Sequence, residues 1–273
     1  MPELPEAETV RRVLQATLPG AVLRSYRSFW ESAVFGLSVP DFQRKIKGKR
    51  VRNVLRRGKR LALELDQGFI LAHLRMTGKF YIAQELPENR RPLNGYFTLE
   101  SGEYLIFYDT RRFGRLQYLE DKEAYDSFCD KLGPEPLDES FTLARFRAML
   151  AGRKRGVKAL LLDQAFIAGL GNIYADECLF QAGLHPETPA DRIPPEGVRE
   201  LRAAIRSILR RAIRLQGTTI INFTSDGHTR GSFGGELQVY GRTGLPCPRC
   251  GAPIVKIRAA GRGTHLCPGC QRV

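Results

Sequence analysis

Four cysteines, Cys247, Cys250, Cys267 and Cys270, are spaced C-x2-C-x16-C-x2-C near the C-terminal end of the chain. Each C-x2-C pair sets two thiolates on one tight turn, and two such turns complete a tetrahedron around one zinc ion. Four protein ligands leave no open coordination position, so a metal held there builds structure and activates no water. His265 lies between the pairs and is an alternative ligand beside the four thiolates. Cys129 and Cys178, the other two of the six cysteines, stand in helical, apolar surroundings and read as buried thiols.

A second candidate lies at the opposite end. Met1 precedes a small residue and is ordinarily removed, which exposes the secondary amine of Pro2. A chain-terminal amine has a pKa of about 8, so a useful fraction is uncharged and nucleophilic at neutral pH, unlike a typical lysine. Glu3 and Glu6 stand beside it. Taken alone, two readings stay open, because acids at a helix start also serve the positive end of the helix dipole.

These groups must be carried by a scaffold. Residues 5–18 predict a helix, with Pro5 in the first turn, an apolar stripe of Ala7, Val10, Val13 and Leu14, and Pro19-Gly20 as its stop. From about 21 to 120 the pattern changes to short β-branched and aromatic runs, such as 69–74, 79–83 and 104–108, with Ser101-Gly102 as a hairpin turn. Gly133-Pro134-Glu135-Pro136 reads as a linker into a helical half. Helices are predicted at 141–151, 157–165, 173–182 and 195–215, the last burying Val198, Leu201, Ile205, Ile208, Leu209 and Ile213. Its opposite face, with Arg199, Arg202, Arg206 and Arg210, reads as solvated surface in preference to a nucleic-acid contact. Residues 217–235 are polar with five glycines and read as a mobile loop. The fold class is α+β: an N-terminal β-sandwich or barrel with a terminal helix, then a helical part and a zinc ribbon.

Lys and Arg number 43 against 29 Asp and Glu, a net charge of +14, which points to a polyanionic partner with nucleic acid foremost. Solubility alone, or anionic lipid, would also account for that charge. No apolar run is long enough to span a bilayer, and the N-terminus lacks the regions of a secretory signal. A cytoplasmic, nucleoid-associated protein is expected, where cysteines serve as metal ligands sooner than disulfides.

Read together, Pro2-Glu3-Leu4-Pro5-Glu6, Arg57-Gly58-Lys59, His73-Leu74-Arg75-Met76-Thr77-Gly78, Asp109-Thr110-Arg111-Arg112-Phe113-Gly114, Gly169-Leu170-Gly171-Asn172-Ile173-Tyr174 and the cysteine quartet resemble the formamidopyrimidine-DNA glycosylase (Fpg, MutM) family, in the family's order and spacing. The resemblance implies a base excision repair enzyme that removes oxidised purines from duplex DNA and then cuts at the abasic sugar. It implies Pro2 as nucleophile, Glu3 as proton shuttle, Glu6 as support for the nucleophile and Lys59 as the lysine that contacts phosphate. Met76, Arg111 and Phe113 match the family's wedge, which fills the space left by a flipped nucleotide and reads the orphaned cytosine. Asn172, Lys158 and His73 match phosphate- or lesion-strand-contacting positions, with Tyr240 and Arg262 gripping the backbone from the ribbon side. The implied organisation is a catalytic domain at 1–132, a helix-two-turns-helix domain with a lesion loop at 137–235 and a zinc finger at 236–273, acting as a monomer on double-stranded DNA with oxidised bases or abasic sites.

Three places depart from the family's pattern: Arg75 stands where Gly is usual, Thr110 where Pro is usual, and 218–230 follows no lesion-loop pattern closely. Two rival readings share part of this pattern. An endonuclease VIII-type enzyme shares the Pro-Glu start but prefers oxidised pyrimidines, against which Arg111-Arg112-Phe113 argues. A zinc-ribbon protein that only binds nucleic acid would leave the Pro2-Glu3 start unexplained.

Overall fold

The computed structural model describes residues 2–218, 220–221 and 229–272. The chain forms two compact units, Met1–Lys131 with Gln216–Gly231, and Leu132–Leu215 with Ser232–Val273.

The first unit begins with α1 (Leu4–Thr17), closed at its start by a reciprocal capping box between Glu3 and Glu6. Its buried stripe of Leu4, Ala7, Val10 and Leu14 faces the core. Then follow β1 (Leu23–Ser28), β2 (Val34–Phe35), α2 (Val39–Ile46), β3 (Val51–Arg57), β4 (Arg60–Leu65), β5 (Phe69–His73), β6 (Lys79–Ala83), β7 (Leu93–Leu99), β8 (Tyr104–Tyr108), β9 (Arg115–Leu119) and α3 (Lys122–Asp130). The strands make a four-stranded sheet, β1-β7-β8-β6, and a five-stranded sheet, β2-β9-β5-β4-β3. Within these two sheets β2 and β9 pair in parallel and the other neighbours antiparallel. Inward-facing residues of both sheets, among them Tyr26, Val54, Ile70, Phe80, Phe97 and Phe107, share one core with Val10 and Leu14 of α1. The outer face of the five-stranded sheet is covered by α3, where Phe69 and Tyr125 stack at 4.5 Å. Two short strands, β10 (Ile220–Ile221) and β11 (Thr229–Arg230), pair antiparallel within the returning segment.

In the second unit, α4 (Leu143–Leu150), α5 (Val157–Leu162), α6 (Asn172–Gln181) and α7 (Pro195–Arg214) surround an apolar core, and β12 (Val255–Ala259) and β13 (Arg262–Leu266) form the ribbon hairpin. Between α5 and α6 the chain makes two tight turns. Gln164 ties them, donating to the carbonyls of Leu162 and Leu170 at 3.0 and 2.9 Å and accepting from the Gly169 amide at 2.9 Å. The helix-two-turns-helix expected from the motif is present in this form.

Gln216–Gly231 belongs to the first unit, and the ribbon shares one compact unit with the helices. Of the mobile loop expected at 217–235, residues 219 and 222–228 lie outside the described residues, as does Met1. The polar face of α7 is not simply solvated: Arg202 donates to the Phe141 carbonyl at 2.8 Å, and Arg206 to those of Pro136 and Asp138 at 3.0 and 2.8 Å, pinning the chain just after the linker.

Candidate functional site

Pro2 sits half-buried at the head of α1, beside Glu3 and Glu6, each 1% exposed. Glu6 Oε2 accepts the Glu3 amide at 2.9 Å, and Glu6 Oε1 accepts the Thr218 amide at 2.9 Å and its hydroxyl at 3.2 Å. Both oxygens of Glu6 are therefore engaged, one by its own helix start and one by the returning segment. Gly217 makes that approach possible: its φ is +81°, and a Cβ there would lie 2.5 Å from Glu6 Oε1. Gly217 and Thr218 are site residues that the sequence did not single out, because the link spans 212 positions.

Lys59 stands on the two-residue loop joining β3 to β4, with Arg57 and Arg60 as the flanking pair. Gly58 has φ +58° and Lys59 does not share a positive φ, the pattern of a type II′ hairpin. Arg56 orients this loop, donating to the Gly58 carbonyl at 2.9 Å and to Glu8 Oε2 on α1 at 3.0 Å. Burial alone would raise the Glu8 carboxyl, but hydrogen bonds from Arg11, Arg12 and Arg56 outweigh it and hold it at about 2. The helix that carries Pro2 is thus tied to the hairpin that carries Lys59.

Met76, Arg111 and Phe113 lie on two adjoining loops, one after β5 and one before β9. Met76 is 41% and Phe113 45% exposed, unlike the core positions such apolar residues usually occupy. The Arg111 guanidinium lies 4.8 Å from the Phe113 ring centroid. Asp109, 0% exposed, joins the loops: Oδ1 accepts from the Thr77 hydroxyl and from the Arg111 amide at 3.2 Å, and Oδ2 accepts from the Gly114 amide at 2.6 Å. Gly78 and Gly114 have no room for a side chain, since a Cβ would lie 2.3 Å from the Leu74 carbonyl oxygen and from Phe107 Cζ respectively. Of the two departures here, Thr110 is exposed and Arg75 adopts φ +56°. His73 Nδ1 accepts the Arg75 amide at 3.2 Å. Burial first, then the charges of Arg60, Arg75 and Lys59, push the His73 imidazole down to about 3, so it is neutral.

In the second unit, Lys158 does not reach the surface. It is 0% exposed, and its Nζ donates to Asp176 Oδ1 at 2.5 Å and to Thr264 Oγ1 at 2.6 Å. The expectation that Lys158 touches the DNA backbone is corrected on that ground: its charge is spent inside, joining α5 to α6 and the ribbon. Asn172, at the first position of α6, is half-buried and donates from its side chain to the Gly263 carbonyl at 2.9 Å, so it braces the turn against the ribbon hairpin. Tyr240 is half-buried with its ring at 4.8 Å from that of His265. Arg262 is exposed beside the Ala260-Gly261 turn, where φ values of 52° and 69° make the type I′ form. His265 is turned to Asp176 Oδ2, with its amide at 2.8 Å and Nδ1 at 3.3 Å, so its hydrogen bonds go to a carboxylate and not to the thiol cluster.

Asp176 and its neighbour Glu177 were not singled out from the sequence. Glu177 accepts the amides of Gln238, Val239 and Tyr240 at 2.8, 3.0 and 2.8 Å. A signal was there: two adjacent acids interrupt a helix that is buried continuously from Tyr174 to Phe180, and acids are rarely buried without partners.

The Sγ atoms of Cys247, Cys250, Cys267 and Cys270 all lie within 4.8 Å of one another, with 3.9 Å from Cys247 to Cys270 and 3.4 Å from Cys250 to Cys267. Tetrahedral zinc with bonds of about 2.3 Å sets sulfurs roughly 3.8 Å apart, so the set fits one ion. Phe180, Val239 and Ile254 pack around it. Arg249, between the first two cysteines, lies 4.4 Å over the Phe180 ring and donates to the carbonyls of Phe180 and Gln181 at 3.0 and 3.1 Å, closing the C-terminal end of α6. Cys178 is buried as expected, whereas Cys129 is only half-buried.

Residues 1–116 match the family model of the formamidopyrimidine-DNA glycosylase N-terminal domain, residues 132–224 that of the formamidopyrimidine-DNA glycosylase H2TH domain, and residues 244–273 that of the zinc finger found in FPG and IleRS. A formamidopyrimidine-DNA glycosylase of Enterococcus faecalis is 41% identical over 274 residues, covering 100% of this chain and 98% of that protein. Lactococcus lactis Fpg, solved with an abasic site containing DNA, is similar with a TM-score of 0.92 at 37% identity, covering 99% of this chain and 100% of that one. A mutant of the same Lactococcus lactis protein, solved with a Fapy-dG containing DNA, gives a TM-score of 0.92 at 37% identity with 100% of both chains covered. With similarity of this degree along its whole length, the chain belongs to the formamidopyrimidine-DNA glycosylase family.

Proposed function

We propose that this protein is a bifunctional DNA glycosylase and abasic-site lyase that excises oxidised purines from duplex DNA. The observation that carries this reading is the head of α1, where Pro2 stands beside two buried carboxylates, one of them engaged by Thr218 from the far end of the same unit. The amine of Pro2 attacks C1′ of the damaged nucleoside, the glycosidic bond breaks, and the base leaves with a proton. Glu3 delivers a proton to the ring oxygen as the sugar opens, leaving an iminium between protein and DNA. The cation acidifies the C2′ proton. Its loss expels the 3′ phosphate, and a second elimination expels the 5′ phosphate, so that a one-nucleotide gap remains. Lys59 contacts phosphate and assists elimination, and Glu6 holds the returning segment at the nucleophile.

A base inside the duplex is out of reach, so the nucleotide must be flipped out. Met76 fills the vacated space, Arg111 hydrogen-bonds the orphaned cytosine and Phe113 wedges between bases, a reading supported by their exposure and by the Asp109 link beneath them. His73, Asn172, Tyr240 and Arg262 contact the backbone. Zinc, when bound, supplies the fixed shape of the ribbon and takes no part in the chemistry. The work divides as 1–132 for chemistry, 137–235 for the helical DNA contacts and 236–273 for the ribbon, which the three matched family models support. The protein acts as a monomer at the nucleoid, and among the described residues no helix is long and apolar enough to cross a membrane. The DNA complexes of the Lactococcus lactis protein support the substrate class.

The test is borohydride reduction in the presence of a duplex carrying 8-oxoguanine opposite cytosine. A covalent protein–DNA complex is expected, and it should be lost in Pro2→Gly. Absence of any adduct with oxidised-base or abasic duplexes sinks the glycosylase reading.

A further inference from the structure

At one end of the five-stranded sheet, three residues stand side by side on adjacent strands: Arg60 pairs with His73, and His73 with Arg115. Directly paired residues project from the same face. That face is the one α3 covers further along, where Phe69 and Leu71 pack with Tyr125. Beyond that cover the face opens into a cavity of about 190 Å³, with Leu71 and Leu116 in its lining, Phe35 64% exposed beside it, and Arg75 added from the turn after β5.

Three guanidiniums therefore line one small cavity. Among the described residues none of the three forms an ion pair. Arg60 lies over the Phe128 ring at 5.4 Å, and Arg115 donates only to the carbonyls of Arg112 and Gly114 at 3.0 and 2.9 Å. Like charges held side by side on a sheet destabilise it. Burial and then Arg75 lower the pKa of Arg60, and burial, followed by Arg60, Arg75 and Lys59, keeps His73 neutral. A doubly polar lining that repels itself is stabilised by an anion, and planar guanidinium forks match a phosphate.

We propose that Arg60, Arg75 and Arg115 form, around His73, a phosphate-binding pocket that takes one backbone phosphodiester of the bound DNA, a charged contact beyond that of Lys59. Only the identity of the phosphate's owner rests on the glycosylase reading; the pocket itself follows from the sheet register and the unpaired guanidiniums. With one phosphate held there, the protein releases one further counterion on binding.

The experiment compares the intact protein with R60Q/R115Q. Affinity for a duplex containing a stable abasic-site analogue is measured from 50 to 200 mM salt. The variant's slope of log affinity against log salt should be shallower by about 0.9, so that the wild type loses about 3.5-fold more affinity across that range. Equal slopes overturn the proposal. Neutral methylphosphonates placed one at a time through the duplex should reveal one position that weakens the wild type and leaves the variant unaffected. No such position, together with thermal stabilisation of the wild type alone by inorganic phosphate, overturns the backbone assignment in favour of a free phosphate. Relief of repulsion should leave R60Q/R115Q melting at or above the wild type in low salt. If it melts far below, the exposed Arg75→Gln variant carries the same slope comparison. Borohydride trapping by the wild type is scored separately: its failure sinks the glycosylase reading while the salt and phosphate measurements still decide the pocket.

Discussion

Lys158 offers a sharp test of how the second unit is held together. Its ammonium and the Asp176 carboxylate are both 0% exposed and 2.5 Å apart. Replacing Lys158 with methionine keeps most of the volume and removes the charge, stranding a buried carboxylate whose remaining partners are the His265 amide at 2.8 Å and its ring. Breaking one side of a buried pair costs about 3–5 kcal/mol. For a chain of this size each kcal/mol moves the melting point by about 2–4 °C, so Lys158→Met should melt about 6–20 °C lower. Adding Asp176→Leu should recover part of that loss, because the unpaired charge is gone. About 1–3 kcal/mol stays lost with the acceptor of the buried His265 amide. Melting of the zinc-loaded protein followed by circular dichroism measures both variants, and duplex binding against salt supplies the contrast. A surface lysine on a phosphate contributes about 0.9 to the salt slope. A Lys158→Met protein that melts like the wild type and loses about 0.9 of slope would refute the interior placement.

The Glu8 carboxyl is held at about 2 in the fold against an ordinary value of 4.5, so the unfolded chain binds the proton first as pH falls; the stabilisation is complete above pH 4.5 and is lost progressively toward pH 2. Glu8→Gln should cost about 1.5–3 kcal/mol in urea unfolding at pH 7, and the gap to the wild type should close as the pH drops from 4.5 toward 2; a gap independent of pH counts against the charged link to Arg56. Chelation should release one zinc per chain in a colorimetric titration and abolish duplex binding along with the ribbon's shape; two ions per chain, or binding unaffected by complete release, contradicts a single structural site.

What could be read without coordinates was whatever is local. The zinc quartet, the capped helix at the start and the amphipathic α7 each announce themselves within a short window, by ligand spacing, a proline in the first turn, or a repeating apolar face. The helix α2 did not, since only Phe42 and Ile46 of its residues are buried and it lies among strand-like runs. The burial of Lys158 is not legible because its partners lie 18 and 106 positions away, and a lone lysine's residue type speaks for the surface. Asp109 is visible as a member of a motif, but its task of binding two loops together depends on Thr77 arriving from the loop after β5. Arg202 and Arg206 of α7 read as part of a solvated face because their acceptors are backbone carbonyls, which leave no mark on a sequence.

The paired acids of α6 also bear on how the metal site assembles. Glu177 pins the chain at Gln238–Tyr240, and Asp176 pins it again at His265, so the first three cysteines lie within or just beside a segment anchored at both ends. Bringing distant thiolates together from a free coil carries the entropy of closing a loop, and that entropy shrinks as the loop's ends are fixed. Because the helix holds the ends, part of that ordering is done before an ion arrives, and the ligands meet it at a raised effective concentration. A metal-free chain would keep the ribbon's address on the helix while losing its form, and the same two carboxylates would set how readily the ion returns.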